Sequence, residues 1–392
     1  MSLSSRYHRE MRGGTACACI LAACSFTHGQ TAGGSSDLSC FDPSTAYAFC
    51  VATPTQPITL STPVGGPFFD TGTTGMHDGC GLGVYTMVGS AEACVIAGTK
   101  VTVAAASSFT AVDAYPLVIA STGDVDIAGL LDVSTRDGGQ HGAGNNPTEC
   151  DDTGLDGTSH TYGAAGGAGG SFGTQGGMGG DGADTARGGT AQPPAPSLDG
   201  LRGGCRSGGG GNGSGGAPSA PGGNPGFGGG AVLVAAYGTI SVGGAIDASG
   251  ECGYAGRTQG GGGAGGSGGA SGGMIVLSAS SYTIAGTLVA NGGGGGGGGG
   301  EDGNEGSADM GGLDSASAPS TAANGGASAG EGGSGGTGAA TNVADVNEAM
   351  DGLPSTSNGG GGGGGGGEGV IGYIGGSFPA ASDRVSPQAI SL

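Results

Sequence analysis

LVIASTGDVDIAGLLDVS (Leu117 to Ser134), VLVAAYGTISVGGAIDAS (Val232 to Ser249) and IVLSASSYTIAGTLVAN (Ile275 to Asn291) are three copies of one pattern. Each opens with an apolar run, turns at a small residue, alternates briefly, meets a glycine and alternates again. The turn residues Gly123, Gly238 and Ser281 and the inner glycines Gly129, Gly244 and Gly286 fall at nearly equal offsets. Short runs of Val, Ile and Leu broken by Gly or Ser, without helical spacing, read as strands. One such unit cannot bury its own apolar side chains, whereas stacked units share a core, with Val118, Leu233 and Val276 over one another. The expected class is therefore all-β: β-solenoid-like stacked rungs with long glycine-rich loops that are polyproline-II-like or disordered. A weaker rung is expected at Val95 to Phe109, and a closing strand at Gly369 to Ile374.

Outward from the rungs the chain is dominated by glycine. Gly accounts for 103 of 392 residues, Trp is absent, and two runs of nine glycines stand at Gly292 to Gly300 and Gly359 to Gly367. Glycine has no side chain to bury and loses the most backbone entropy on ordering, so a fold must close-pack backbone or hang on the few apolar segments. The 17 prolines and the lack of a strict Gly-X-Y period exclude collagen. Two readings of the glycine tracts remain open: solvated coil, or extended segments packed side by side through backbone hydrogen bonds. We expect mixed order, with the loops of the repeat zone packed. Residues 301 to 358, acidic and poor in large apolar side chains, are expected to be mostly disordered. A short helix is conceivable only at Asn342 to Met350.

The amino terminus suggests export. Arg6, Arg9 and Arg12 precede a small-residue stretch ending in Leu21-Ala22-Ala23-Cys24, which resembles a bacterial lipoprotein signal. That resemblance implies cleavage before Cys24, diacylglycerol on its thiol, and passage to the outer membrane or cell surface; plain secretion is the alternative. The expected organisation is a signal peptide over 1–23, a Cys-containing region over 24–94, the rung and glycine domain over 95–300, an acidic low-complexity segment over 301–358, and a glycine run with closing strand over 359–392. Beyond Cys24 the cysteines lack the paired spacing of a metal site, which favours disulfides. Proximity suggests Cys40 with Cys50, Cys80 with Cys94 and Cys150 with Cys205, leaving Cys252 over.

Charge and motifs narrow the function. With 31 acidic against 10 basic residues the net charge is -21, which repels phosphate backbones, so no nucleic-acid partner is expected. Glycine abundance makes GxGxxG matches meaningless. Gly265-Gly266-Ser267-Gly268-Gly269 fits a nucleophile elbow by letters but lies in a glycine tract. His141 and His160 share an acidic stretch with Glu149, Asp151, Asp152 and Asp156, and Gly176 to Asp184 carries one copy of a calcium-roll nonapeptide that acts only in tandem. Asp132, Asp247 and Asn291 suggest a polar row along the rungs, read first as strand-end caps. No catalytic, cofactor or metal residue is assigned.

The rungs VLVAAYGTISVGGAIDASG and MIVLSASSYTIAGTLVANGGGGG, bordered by polyglycine, resemble glycine-rich secreted proteins of myxobacteria and related bacteria, and in composition alone the mycobacterial PE-PGRS surface proteins. The Pro-Glu helical domain of the latter is absent from the amino terminus. The expectation is a non-enzymatic structural or interaction protein, a lipid-anchored scaffold contacting a cell-envelope component or an unknown surface ligand. The alternative is an adhesin recognising a glycan, another cell or ice through packed glycine loops.

Overall fold

The structure, a computed structural model, describes residues 38–42, 45–61, 68–72, 80, 84–88, 91–136, 140–147, 150, 154–194, 198–214, 219–259, 261–301, 321–341, 348–379 and 382–392. The proposed signal and Cys24 lie outside the described residues, as does most of the conceivable helix. The named elements are strands, apart from one 3-10 turn at Ser382–Arg384.

Each sequence repeat breaks into three strands where its small residues stand. The first gives Leu117–Ser121, Val125–Ile127 and Leu130–Asp132; the second Ala231–Ala236, Thr239–Val242 and Ala245–Asp247; the third Met274–Ser278, Ser281–Ile284 and Thr287–Val289. Equivalent strands pair in parallel, giving the stacks Val118–Leu233–Val276, Val125–Ile240–Tyr282 and Leu131–Ile246–Leu288. Ala91–Gly98, Val101–Val103 and Ser108–Val112 form an earlier rung beneath them. Ile58–Leu60 and Phe69–Asp70 extend two of the sheets at one end, while Val370–Ile374, Val385–Ser386 and Ile390–Ser391 extend two at the other. Val84–Val88 closes one sheet edge by pairing antiparallel with Ala91–Gly98, which pairs that edge's backbone groups. We call this stack the ladder.

Side chains alternate across each strand, and in the seven-stranded sheet both faces of Leu117–Ser121, Ala231–Ala236 and Met274–Ser278 are buried, as the continuous apolar runs require. Leu117, Ile119, Val232, Val234, Ile275 and Leu277 face the interior between the sheets, with Leu131, Ile240 and Ile246. Val118, Leu233 and Val276 stack as their register implies, but on the outer face. Phe41, Tyr47, Phe49 and Val51 of the hairpin Leu38–Phe41/Phe49–Ala52 cover them, together with Phe172 and Leu201 from the glycine tracts. Cys40–Cys50 spans this hairpin, Cys80–Cys94 ties residue 80 to the first full rung, and Cys150–Cys205 joins two glycine-rich segments. Cys252 is buried and belongs to none of these bridges.

Candidate functional site: the glycine array

The glycine tracts leave the ends of the rungs and fold into a lateral array. Three of its segments run straight into ladder strands: 219–229 into Ala231–Ala236, 263–273 into Met274–Ser278, and 359–369 into Val370–Ile374. Their junctions stay in step, Met274 N donating to Gly230 O and Val370 N to Gly273 O. The ladder's strand order therefore sets the order in which these segments lie side by side.

Segment 359–369 sits at the centre of six neighbours. Its N–H groups donate in rotation to three of them: Gly361, Gly364 and Gly367 to Ala164, Gly167 and Gly170; Gly362 and Gly365 to Leu353 and Met350; Gly360, Gly363 and Gly366 to Gly299, Gly296 and Gly293, all at 2.8–3.0 Å. Its carbonyls accept from the other three, through Gly266, Gly269 and Gly272, through Gly333, Gly336 and Ala339, and through Gly177 and Gly180. Segments 163–173 and 263–273 are likewise bonded to six neighbours. The pairings define four layers: 348–356, 174–183 and 186–192; then 331–341, 359–369, 163–173 and 154–160; then 321–330, 291–300, 263–273 and 201–213; then 250–257 and 219–229. Contacts recur every third residue, so each neighbour is reached by one residue in three.

This geometry explains the composition. A Cβ on Gly363 would stand 1.8 Å from Ser267 O, inside covalent-like distance of backbone that six neighbours hold in place. An enclosed segment therefore admits mostly the smallest residues, and larger side chains stand at the periphery of the array or, like Phe172 in 163–173, against the ladder. In 321–330 exposure follows the same period: Thr321, Asn324, Ala327 and Gly330 are exposed while Ala323, Gly326 and Ala329 are buried. The expectation that residues 301 to 358 are mostly disordered is corrected for 321–341 and 348–356, which are layers of the array. They bury no apolar side chain larger than alanine, but their backbone groups are paired by neighbours, and that is the condition ordering requires.

Buried carboxylates brace the array. Glu251 accepts from Phe227 N (2.9 Å) and from the Tyr254 hydroxyl (2.5 Å). Glu368 accepts from the Thr341 hydroxyl (2.5 Å), and burial pushes its pKa up. In the sequence only Glu368 is marked, as a lone carboxylate directly after a run of nine glycines, whereas nothing local singles out Glu251. The outer layer 348–356, 174–183, 186–192 exposes Met178, Met350 and Leu353, and Met178, Asp181, Asp351 and Pro354 line a shallow depression on it. Asp351 accepts from Met178 N (2.6 Å), and Asp181 from Gly188 N and Arg187, bonds that hold the Asp181 carboxyl below its usual range. The calcium-roll aspartate thus serves the array itself.

The other sequence candidates are separated or structural. Ser267 is buried in the array interior, its hydroxyl accepting from Tyr254 N (2.7 Å), so the elbow pattern has no exposed nucleophile. His141 packs against Phe227 with ring centroids 3.9 Å apart in a tilted arrangement and is lowered in pKa by burial, whereas His160 accepts from Tyr162 N; Asp156 accepts from Gly209 N. Glu149, Asp151 and Asp152 lie outside the described residues. Among the described residues no group of three or more His, Cys, Asp or Glu is placed to hold a metal ion.

The row of Asp132, Asp247 and Asn291 is corrected: Asp132 pairs with Asp247, but Asp247 pairs with Val289, the residue three beyond Gly286 as the aspartates are three beyond Gly129 and Gly244. Asn291 instead stands opposite Ser249, accepting from Gly250 N and from the Ser386 hydroxyl. No helix of the described residues is long and apolar enough to cross a membrane. Compared with known proteins, the chain matches no family model, no curated protein and no solved structure.

Proposed function

We propose that the protein is a non-enzymatic structural or interaction protein of the cell surface: a β-solenoid carrying a bundle of polyproline-II-type glycine segments, exported and held by a lipid on Cys24. The observation that carries this reading is the six-neighbour enclosure of 359–369, because it commits the glycine tracts to a stiff body that displays larger side chains only at its periphery. Three residues per turn is the polyproline II period, and the parallel in-step strands suit a solenoid. Limited proteolysis with mass spectrometry on the native membrane fraction tests the reading. It predicts a diacylated Cys24 and a resistant fragment spanning ladder and array; an unmodified chain cut throughout its glycine tracts refutes it. The adhesin reading is favoured by one observation, the exposed Met178, Met350 and Leu353 on one outer layer of the array. A glycan array and whole-cell binding separate the two.

A further inference from the structure

Asp132 and Asp247 are neighbours in the ladder, and both are buried, at 0% and 1% exposure. Each closes an identical turn: Asp132 Oδ1 accepts from Ser134 N (3.0 Å) and the Ser134 hydroxyl (2.7 Å), and Asp247 Oδ1 from Ser249 N (2.9 Å) and the Ser249 hydroxyl (2.7 Å). These turns are where the chain leaves the ladder for the array. The backbone beyond them holds the places where array segments come back: Val133 O accepts from Gly230 N, the Thr135 hydroxyl donates to Gly228 O, and Ala248 O accepts from Gly273 N. The strands on either side carry no charge in this column, with Thr110 below and Val289 above.

One cation serves the two carboxylates. Arg136 pairs with Asp132 from the chain that leaves it. The charges acting on Asp247 are Asp132 and Arg136; the same seam carries His141, with Asp113 and Asp70 beyond it, and Glu251 on the departing segment is bonded to Phe227 and Tyr254. Two buried carboxylates at ladder spacing with one guanidinium leave one negative charge without a counterion, and a proton kept on one of the carboxyls is the least costly remedy. We propose that the seam between ladder and array is a proton-operated latch, closed while the Asp132–Asp247 pair keeps one proton and loosened when both are charged.

Burial, and next the Asp132 charge, push the Asp247 carboxyl up to about 7 from an ordinary value of 3.8. A folded pKa above the unfolded one means the contribution is complete below the unfolded value and is lost as pH rises towards the folded value. Opening of the seam should therefore increase between about pH 4 and pH 7 and level off above that, by about tenfold per pH unit within the window.

The test is amide hydrogen exchange of the full-length protein at residues 228–230 and 248–250, corrected for intrinsic exchange rates, in wild type and Asp247→Asn. Asn keeps the oxygen that accepts from Ser249 and removes the proton. The expected result is about a fiftyfold rise in opening from pH 5 to pH 7 in wild type, the profile bending as pH reaches the folded pKa, and a flat profile in the variant; parallel profiles overturn the latch. If Asp247→Asn fails to fold, infrared spectroscopy of wild type and Asp132→Asn decides. A protonated-carboxyl band lost near neutral pH in wild type and shifted to lower pH in Asp132→Asn supports the latch, and an unshifted band overturns it.

Discussion

Ladder and array both pair their backbones with neighbouring segments but are stabilised differently. In the ladder an inner strand has two neighbours within its sheet, and the side chains between sheets supply the free energy: Ile119, Val234 and Leu277 are fully buried, each worth roughly 1.5–3 kcal/mol relative to exposure. In the array a central segment has six neighbours and almost no side chains. Its cohesion comes from backbone hydrogen bonds and from the contact that missing side chains permit, against the high entropy of ordering glycine. The lesson is that the two regions should fail under opposite substitutions: the ladder when a side chain is made polar or smaller, the array when one is made larger.

The sharpest break is Val234→Asp. A carboxylate in the ladder interior has no partner, and the loss should be on the order of 4–5 kcal/mol or more, read as lost strand circular dichroism and rapid proteolysis. Val276→Asp sharpens the comparison, because Val276 faces the hairpin and array; its fragment pattern should show the hairpin released first. Next in size is the Cys150→Ala/Cys205→Ala pair, which reopens a link spanning 55 residues and should cost about 2–4 kcal/mol, with cleavage beginning in the array and the ladder surviving. Gly363→Ala, innocuous in most proteins, should cost about 1–3 kcal/mol in thermal unfolding because its Cβ meets Ser267 O. The smallest effect is the control: a Cβ at Gly243, in a ladder turn, meets nothing within 4 Å, so Gly243→Ala should change stability by less than about 0.5 kcal/mol. Equal effects of the two alanines would remove the distinction between the regions.

Individual residues mark how far the chain can be read without its fold. The rungs are legible because Gly129, Gly244 and Gly286 recur in step and apolar residues alternate around them, a local signal that register preserves. The face of Val118, Leu233 and Val276 was not legible, because on a strand buried on both sides the two faces read alike until it is known that Phe41 and Phe49 cover one of them. Asn291 was misplaced for a related reason: similarity of residue type suggested a row, whereas pairing is set by distance from the inner glycine. The order of 321–341 escaped because low apolar content ordinarily signals disorder, and nothing in ANGGASAGEGGSGGTG names the partners 291–300 and 359–369 that pair its backbone. Asp132 and Asp247 were visible as repeated aspartates, but their burial, and so their single shared cation, depends on the array that covers them.

What the amino-acid sequence determined by itself is the strand repeat, the absence of helix-forming pattern in the rungs, and the surplus of acidic charge, since each follows from nearest neighbours along the chain or from counting. Tertiary structure decided which glycine segment lies beside which, which of them is enclosed, and which carboxylates are dry. A glycine tract carries no side chain by which to select a neighbour, so its place is assigned by the strands into which it runs and by the spacing at which those strands stack.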